Sequence, residues 1–292
     1  MNTAQQPTPS AHTNKAYAAD WRHFSRWCRL QGHSPMPPEP DVVASYLAEL
    51  ANPASGPALK VASIERRLAG LLWNCAQRGQ PLDRNAPALA SLMRDLRANH
   101  HRAPDRKQAI QPEEIHAMAA TLPFDLRGLR DRALLRLGYE AGLGRTDLVG
   151  LDLGAHDNPE DDTRRGWIEI SEAGAAVTYS TRTGQQTVRI NRQIKEQICP
   201  VHALEQWLHF AKIQAGPVFV GISRDGKRAL DARLNDKHVA RLIKRTVIAA
   251  GLRPDLSEKE RLALFSGHSL RSGLARSRKE AKKAESYAQQ SE

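Results

Sequence analysis

The stretch from His100 to Gln108 constrains the fold of this chain more than any other feature, because apolar periodicity stops there and resumes on the other side. It carries His100, His101, Arg102, Arg106 and Lys107, with no apolar repeat at helical or strand spacing. It reads as a basic inter-domain linker over residues 100–109. A chain of 292 residues divided at this point has room for two domains, a shorter one in front and a longer one behind.

The front part is helical throughout. Residues 1–11 are polar and read as a flexible arm. From Thr13, the residues Tyr17, Trp21, Phe24 and Cys28 recur at three- and four-residue intervals, which makes an amphipathic helix ending near Gln31-Gly32. Ser34 to Pro40 holds four prolines and is a loop, after which Asp41 is expected to cap a second helix with Val42, Tyr46, Leu47 and Leu50 inward. A third helix, Val61 to Arg78, carries Ile64, Leu68, Leu71, Leu72 and Cys75 on its apolar side. A fourth, Pro87 to Asn99, carries Leu89, Leu92, Met93 and Leu96. Residues 12–99 thus make a compact all-α unit. Lys60, Arg66 and Arg67 at the start of the third helix suit phosphate contacts, although a solvated cationic face explains them equally well.

Charge points to the partner. Lys and Arg number 43 against 32 Asp and Glu, a net charge of +11, so the chain favours a polyanion, and double-stranded DNA is the expected partner. The three cysteines, Cys28, Cys75 and Cys199, lie far apart without C-x-x-C spacing, which suggests neither a disulfide framework nor a zinc site. A reducing compartment is expected. With no signal-peptide core and no apolar run of membrane-spanning length, the expectation is a soluble, cytoplasmic protein with no membrane contact.

Behind the linker, Pro112, Glu113 and Glu114 open a helix through Ile115 and Met118. Trp167 to Ile170, Val177 to Tyr179 and Thr187 to Ile190 alternate like strands, with Thr183-Gly184 able to turn between the last two. Val218-Phe219-Val220 and a helix from Asn235 to Gly251 follow, the latter carrying Arg241 and Lys244. These two and Lys107 of the linker join the candidate DNA contacts. Near the end stands Gly267-His268-Ser269-Leu270-Arg271-Ser272-Gly273, where a helix would put His268 and Arg271 on one face. Such a pair can hold an anionic oxygen, Arg as a permanently charged fork and His as a tunable donor. Taken alone, the same pair also fits a solvated helix face.

Several of these stretches, in this order, resemble the tyrosine recombinases, or phage-type integrases. Arg130-Asp131-Arg132-Ala133-Leu134-Leu135-Arg136-Leu137-Gly138-Tyr139, running into Gly142-Leu143-Gly144-Arg145-Thr146-Asp147-Leu148, is similar to the family's "RDRALLLLGF" and "GLRxSEL". Cys199-Pro200-Val201-His202-Ala203-Leu204 is similar to "CPVRAL", and the His268 stretch to "GHSLRxGFAT". The resemblance implies a mainly α fold with a small antiparallel β-sheet. It divides into a four-helix, SAM-like core-binding domain over 12–99, an α+β catalytic-type domain over 110–275, and a hydrophilic tail over 276–292.

The family's chemistry uses no metal or other cofactor. A tyrosine hydroxyl attacks a DNA phosphodiester, two Arg side chains and a His-box donor stabilise charge on the phosphate, and a hairpin Lys protonates the departing oxygen. Carried over by position, His268 and Arg271 match in full. The first Arg falls on Gly144, with Arg145 one place away; one residue turns a helix by about 100°, so Arg145 points elsewhere. The hairpin Lys meets Arg182, whose proton is held too tightly for easy acid catalysis. Only 21 residues follow Arg271, among them Tyr287, an unmatched candidate nucleophile in a tail without the family's "TGH" box. With helices of the family's C-terminus missing, Leu262, Leu264, Phe265, Leu270 and Leu274 are expected to be partly uncovered, and the family's tetramer on DNA is doubtful.

The implied function is site-specific DNA binding by a catalytically impaired member of a recombination and integration family of mobile genetic elements. Two alternatives stay open: an active recombinase using Arg145, Arg182 and Tyr287 at shifted positions, and a helical, non-enzymatic interaction protein.

Overall fold

The computed structural model describes residues 11–99, 107–155, 164–181 and 184–275. The chain forms two compact units, Met1–Pro104 and Asp105–Glu292. The arm expected over 1–11 lies outside the described residues except for Ala11, as do the expected tail over 276–292 and residues 100–106 of the expected linker.

The described residues of the first unit form four helices: α1 (Ala11–Gln31), α2 (Pro40–Ala51), α3 (Val61–Gln77) and α4 (Pro87–Asn99). Their apolar stripes meet in a single core in which Phe24, Tyr46, Ile64, Leu68, Leu71 and Leu89 are almost wholly buried. The start of α2 corrects the sequence reading. Pro40 is the first helical residue and Glu39 the N-cap, without a side-chain bond, because proline's fixed φ fits the first turn and its missing N–H costs nothing there. Asp41 sits inside that first turn, where its charge suits the helix dipole instead of capping.

The second unit is built around α6 (Leu126–Glu140), flanked by α5 (Pro112–Ala120), α7 (Arg145–Val149), α8 (Pro200–Ala211) and α9 (Asp236–Ala249). A capping box between Gln111 and Glu114 starts α5. Asp125 starts α6 by accepting from the Gly128 N–H at 2.8 Å. α6 is buried on nearly every side, so Arg130, Asp131, Arg132 and Arg136 go inside along with its leucines. Trp207 of α8 donates its indole N–H to the Val218 carbonyl at 2.8 Å, fixing α8 to the segment beyond it.

Five strands form the main sheet: β1 (Leu151–Leu153), β2 (Gly166–Ser171), β3 (Gly174–Thr181), β4 (Gly184–Asn191) and β5 (Gly216–Pro217), in the order β4-β3-β2-β1-β5. Most neighbours are antiparallel, as expected, but β1 runs parallel to β2, so the sheet is mixed. β6 (Val220–Ile222) and β7 (Ala229–Arg233) make a separate antiparallel pair. Phe219 lies between β5 and β6, with its carbonyl accepting from the Leu234 N–H at 2.8 Å.

The chain ends its described course in α10 (Glu258–Leu264) and a helix over residues 267–275. Phe265 and Leu270 are each 1% exposed, contrary to the expectation that they would be uncovered; Leu262, Leu264 and Leu274 are half-buried. The reason is the close docking of the 267–275 helix on α6. A Cβ at Gly138 would lie 3.2 Å from Leu270 Cδ1, and one at Gly273 would lie 2.1 Å from the Ile110 carbonyl oxygen, so at position 273 only glycine permits the approach.

Candidate nucleic-acid interface

The 267–275 helix begins on a reciprocal cap. Ser266 Oγ accepts from the His268 N–H at 3.3 Å, and Ser269 Oγ accepts from the Ser266 N–H at 3.0 Å. From this start, Ser269, Leu270 and Gly273 face inward, while His268 and Arg271 are exposed one helical turn apart. The segment after the first unit pins the helix from outside. Ile110 N–H donates to the Ser269 carbonyl at 3.2 Å, Gln108 N–H to the Leu264 carbonyl at 3.0 Å, and Lys107 Nζ to the Ala263 carbonyl at 2.6 Å. Lys107, expected in the linker as a DNA contact, is thus engaged with the end of α10.

The turn between α6 and α7 comes up against the same helix. Gly142 takes a φ of +62°, and a Cβ there would lie 2.9 Å from Leu274 Cδ2. Gly144 is the N-cap of α7, and the Arg145 stem packs over Gly267, where a Cβ would be 3.2 Å away. The start of α7 thus lies against the 267–275 helix, but the Arg145 guanidinium turns aside. Its Nε pairs with Asp236 Oδ2 at 2.9 Å, at the first turn of α9.

Asp147 lies beneath this corner. Burial pushes its carboxyl above the usual carboxylate range, opposed by the charge of Arg271 and by a hydrogen bond from the Gly144 N–H. Arg271 itself remains exposed.

α9 adds a cationic stripe. Arg241 and Lys244 are exposed, and Lys237, which the sequence reading missed, continues the stripe at helical spacing. None of the three is tied to a carboxylate among the described residues. The missed signal was the four-residue step from Lys237 to Arg241, masked by the acidic Asp236 beside it.

In the first unit the candidate cations are differently placed. Arg66 forks onto Asp20, with Nη2 2.9 Å from Oδ1, and keeps a half-exposed side chain. Arg67 is largely buried, donating to Tyr46 Oη at 2.8 Å and lying 3.5 Å from Asp20 Oδ1. Burial pushes the Tyr46 hydroxyl up to about 12, so it stays protonated, accepting from Arg67 while sharing a 2.8 Å bond with His23. Lys60 is exposed at the N-cap of α3. Arg182 and Tyr287 lie outside the described residues. Thr181 and Gly184, on either side of the hairpin tip, are paired, and Thr181 Oγ1 donates to the Gly184 carbonyl at 2.7 Å.

Arg130 and Asp131 of the first box are held in a structural cluster. Arg130 Nε and Nη2 donate to Asp131 Oδ1 at 3.0 and 2.8 Å, Arg245 Nη2 donates to Oδ2 at 2.8 Å, and His238 Nε2 lies 2.9 Å from Oδ1. The same His238 Nε2 lies 2.9 Å from Arg130 Nη2, so it donates to Asp131 in one tautomer and accepts from Arg130 in the other. The cluster ties α6 to α9.

No family model matches the chain. An integrase/recombinase xerD homolog from Selenomonas ruminantium is 31% identical over 276 residues, covering 91% of this chain and 73% of the relative. The chain belongs to the tyrosine recombinase family. Tyrosine recombinase XerC 1 of Ralstonia nicotianae is 29% identical over 198 residues, covering 65% of this recombinase and 56% of the relative. The crystal structure of the XerH site-specific recombinase bound to difH substrate shares the fold: TM-score 0.50, 14% identity, covering 90% of this recombinase and 68% of that chain.

The described residues contain no helix long and apolar enough to cross a membrane and no His, Cys, Asp or Glu group placed to hold a metal. Cys28, Cys75 and Cys199 are free and buried.

Proposed function

We propose that this recombinase-family chain binds double-stranded DNA site-specifically, grips a backbone phosphate with His268 and Arg271, and is impaired in cutting beside it. The observation that carries the reading is the corner between α7 and the 267–275 helix. Two exposed donors stand one turn apart and Arg145 is paired with Asp236, while by the resemblance Gly144 stands where the family has its first Arg. A phosphate held by half of its charge-stabilising groups is bound but poorly activated, because those groups contribute most when charge develops in the transition state. The net charge of +11 supports the DNA partner, and the stripe of Lys237, Arg241 and Lys244 supplies contacts that survive loss of the chemistry.

For cleavage to recover through Arg145, its guanidinium would have to leave Asp236 and swing across Gly267. That motion exchanges a formed ion pair for a contact made only on DNA. The specificity of base recognition rests on groove-facing side chains distinct from these phosphate ligands.

The test is a salt titration of duplex binding by the full chain and by Arg271→Ala. Each phosphate contact contributes about 0.9 to the slope of log affinity against log salt, so the variant is expected to bind more weakly with a slope reduced by about one. An unchanged slope would show that Arg271 touches no phosphate. Absence of any steep salt dependence in the parent chain would favour the non-enzymatic interaction protein.

A further inference from the structure

Beneath the first box, on the flank where α6 faces α8, lies a cleft of about 400 Å³ lined in part by Phe124, Arg132, Arg136, Gln197, His202 and Gln206. Arg132 and Arg136 are spaced one helical turn apart and are only 6% and 8% exposed. Arg132 spends Nη2 on the Leu122 carbonyl at 2.8 Å, and its guanidinium lies 4.6 Å from the Phe124 ring centre; its Nη1 is buried without a partner. Arg136 is buried at Nε without a hydrogen bond and has no ion pair among the described residues. His116 of α5 leaves its Nδ1 buried and unpartnered in the same way. Burial and then the charge of Arg136 hold the His116 ring below its ordinary pKa, so it stays neutral near these cations.

Two guanidinium groups buried side by side without a carboxylate are costly unless an anion completes them. Burial, and then the charge of Arg132, push Arg136 down to about 10. The single carboxylate among the lining residues does not supply the counter-charge: Glu196 is largely exposed and lies 3.7 Å from His202 Nε2. The family chemistry of the α7 corner makes no use of this cleft.

We propose that the cleft between α6 and α8 is a phosphate-binding site, with Arg132 and Arg136 as the principal ligands and His202, Gln197 and Gln206 as further donors. Donors arriving from two turns of α6 and from α8 surround a tetrahedral oxyanion better than the two coplanar oxygens of a carboxylate. The phosphate comes either from a small molecule or from a DNA backbone, and the two sources are separable.

The full chain is melted in sodium phosphate and in sodium chloride at matched ionic strength, beside Arg136→Met, which keeps side-chain length and removes the charge. The parent is expected to gain a few degrees specifically in phosphate, and Arg136→Met to show no such gain. No phosphate-specific gain in the parent, or an equal gain in both, overturns the site. Should Arg136→Met fail to fold, the imidazole resonances of His116 and His202 in the parent decide: movement with phosphate but not chloride supports the site, and no movement overturns it. In a duplex-binding arm, weaker DNA affinity in Arg136→Met with competition by inorganic phosphate assigns the group to DNA. Unchanged duplex affinity with the phosphate effect lost assigns it to a small molecule. Arg271→Ala keeps the phosphate gain, so failure of this site and failure of the DNA-binding reading are told apart.

Discussion

Asp131→Asn is expected to lower the stability of the second unit by about 3–5 kcal/mol, the cost of removing one partner from a buried ionic cluster. Asp131 is 1% exposed and accepts from Arg130 and Arg245 while paired with His238, so a neutral amide leaves these cations facing one another under α6. Burial alone would raise its pKa. The bond from His238 and the charge of Arg130 outweigh that effect and hold the carboxyl below the usual carboxylate range. A depressed folded pKa means that the stabilisation is fully present above the unfolded value of about 3.9 and is lost as pH falls through the folded pKa. In urea denaturation followed by circular dichroism, the gap between parent and variant should therefore be constant near neutrality and close below about pH 4. A gap independent of pH down to strong acid would contradict the charge account.

Gly144→Arg is expected to tighten duplex binding about 10- to 100-fold, the worth of a charge-assisted hydrogen bond of roughly 1.5–3 kcal/mol. Gly144 holds φ −71° and ψ 159°, which any L-residue adopts, so no strain opposes the change. The new Cβ would sit 3.1 Å from Asp147 Oδ2, an approach that a carboxylate at the end of a side chain relieves by moving a few tenths of an ångström. The added guanidinium would enter the corner beside Arg271 that Arg145 vacates by pairing with Asp236. Measured at fixed salt, equal affinities for parent and variant would mean that no phosphate reaches this corner.

How much of this was legible in the sequence depends on the distance over which each residue finds its partner. The four helices of the first unit show because each is amphipathic, so Ile64, Leu68, Leu71 and Cys75 declare a face within one segment. Arg66 declares nothing of that kind: its partner Asp20 is 46 residues away, and its exposed-looking position on α3 suited a phosphate just as well. α6 defeats the same logic from the other side. It is buried all round, so the spacing of Arg130, Asp131, Arg132 and Arg136 marks no solvent face, and their roles emerge only when α8 and α9 pack against them.

Short strands escaped for a different reason. β1, β5 and β7 have three, two and five residues, too few for alternation to register, and they form because longer neighbours offer them an edge. Of the candidate site, the spacing of His268 and Arg271 put them on one helix face, and only the resemblance set that face apart from a solvated one. The pairing of Arg145 with Asp236 was not, because it joins α7 to an element 91 residues further on. That pairing turns a nearby arginine into an unavailable one, and the reading of impaired chemistry leans on it.

The central claim, phosphate binding without efficient cleavage, is tested most directly by recovering bound duplexes from a random-sequence pool and asking which survive denaturation with protein attached. The full chain is expected to retain duplexes in a salt-sensitive manner and to yield no denaturation-resistant adduct. A covalent protein–DNA adduct that disappears in Tyr287→Phe would contradict the account and restore the active recombinase with shifted residues.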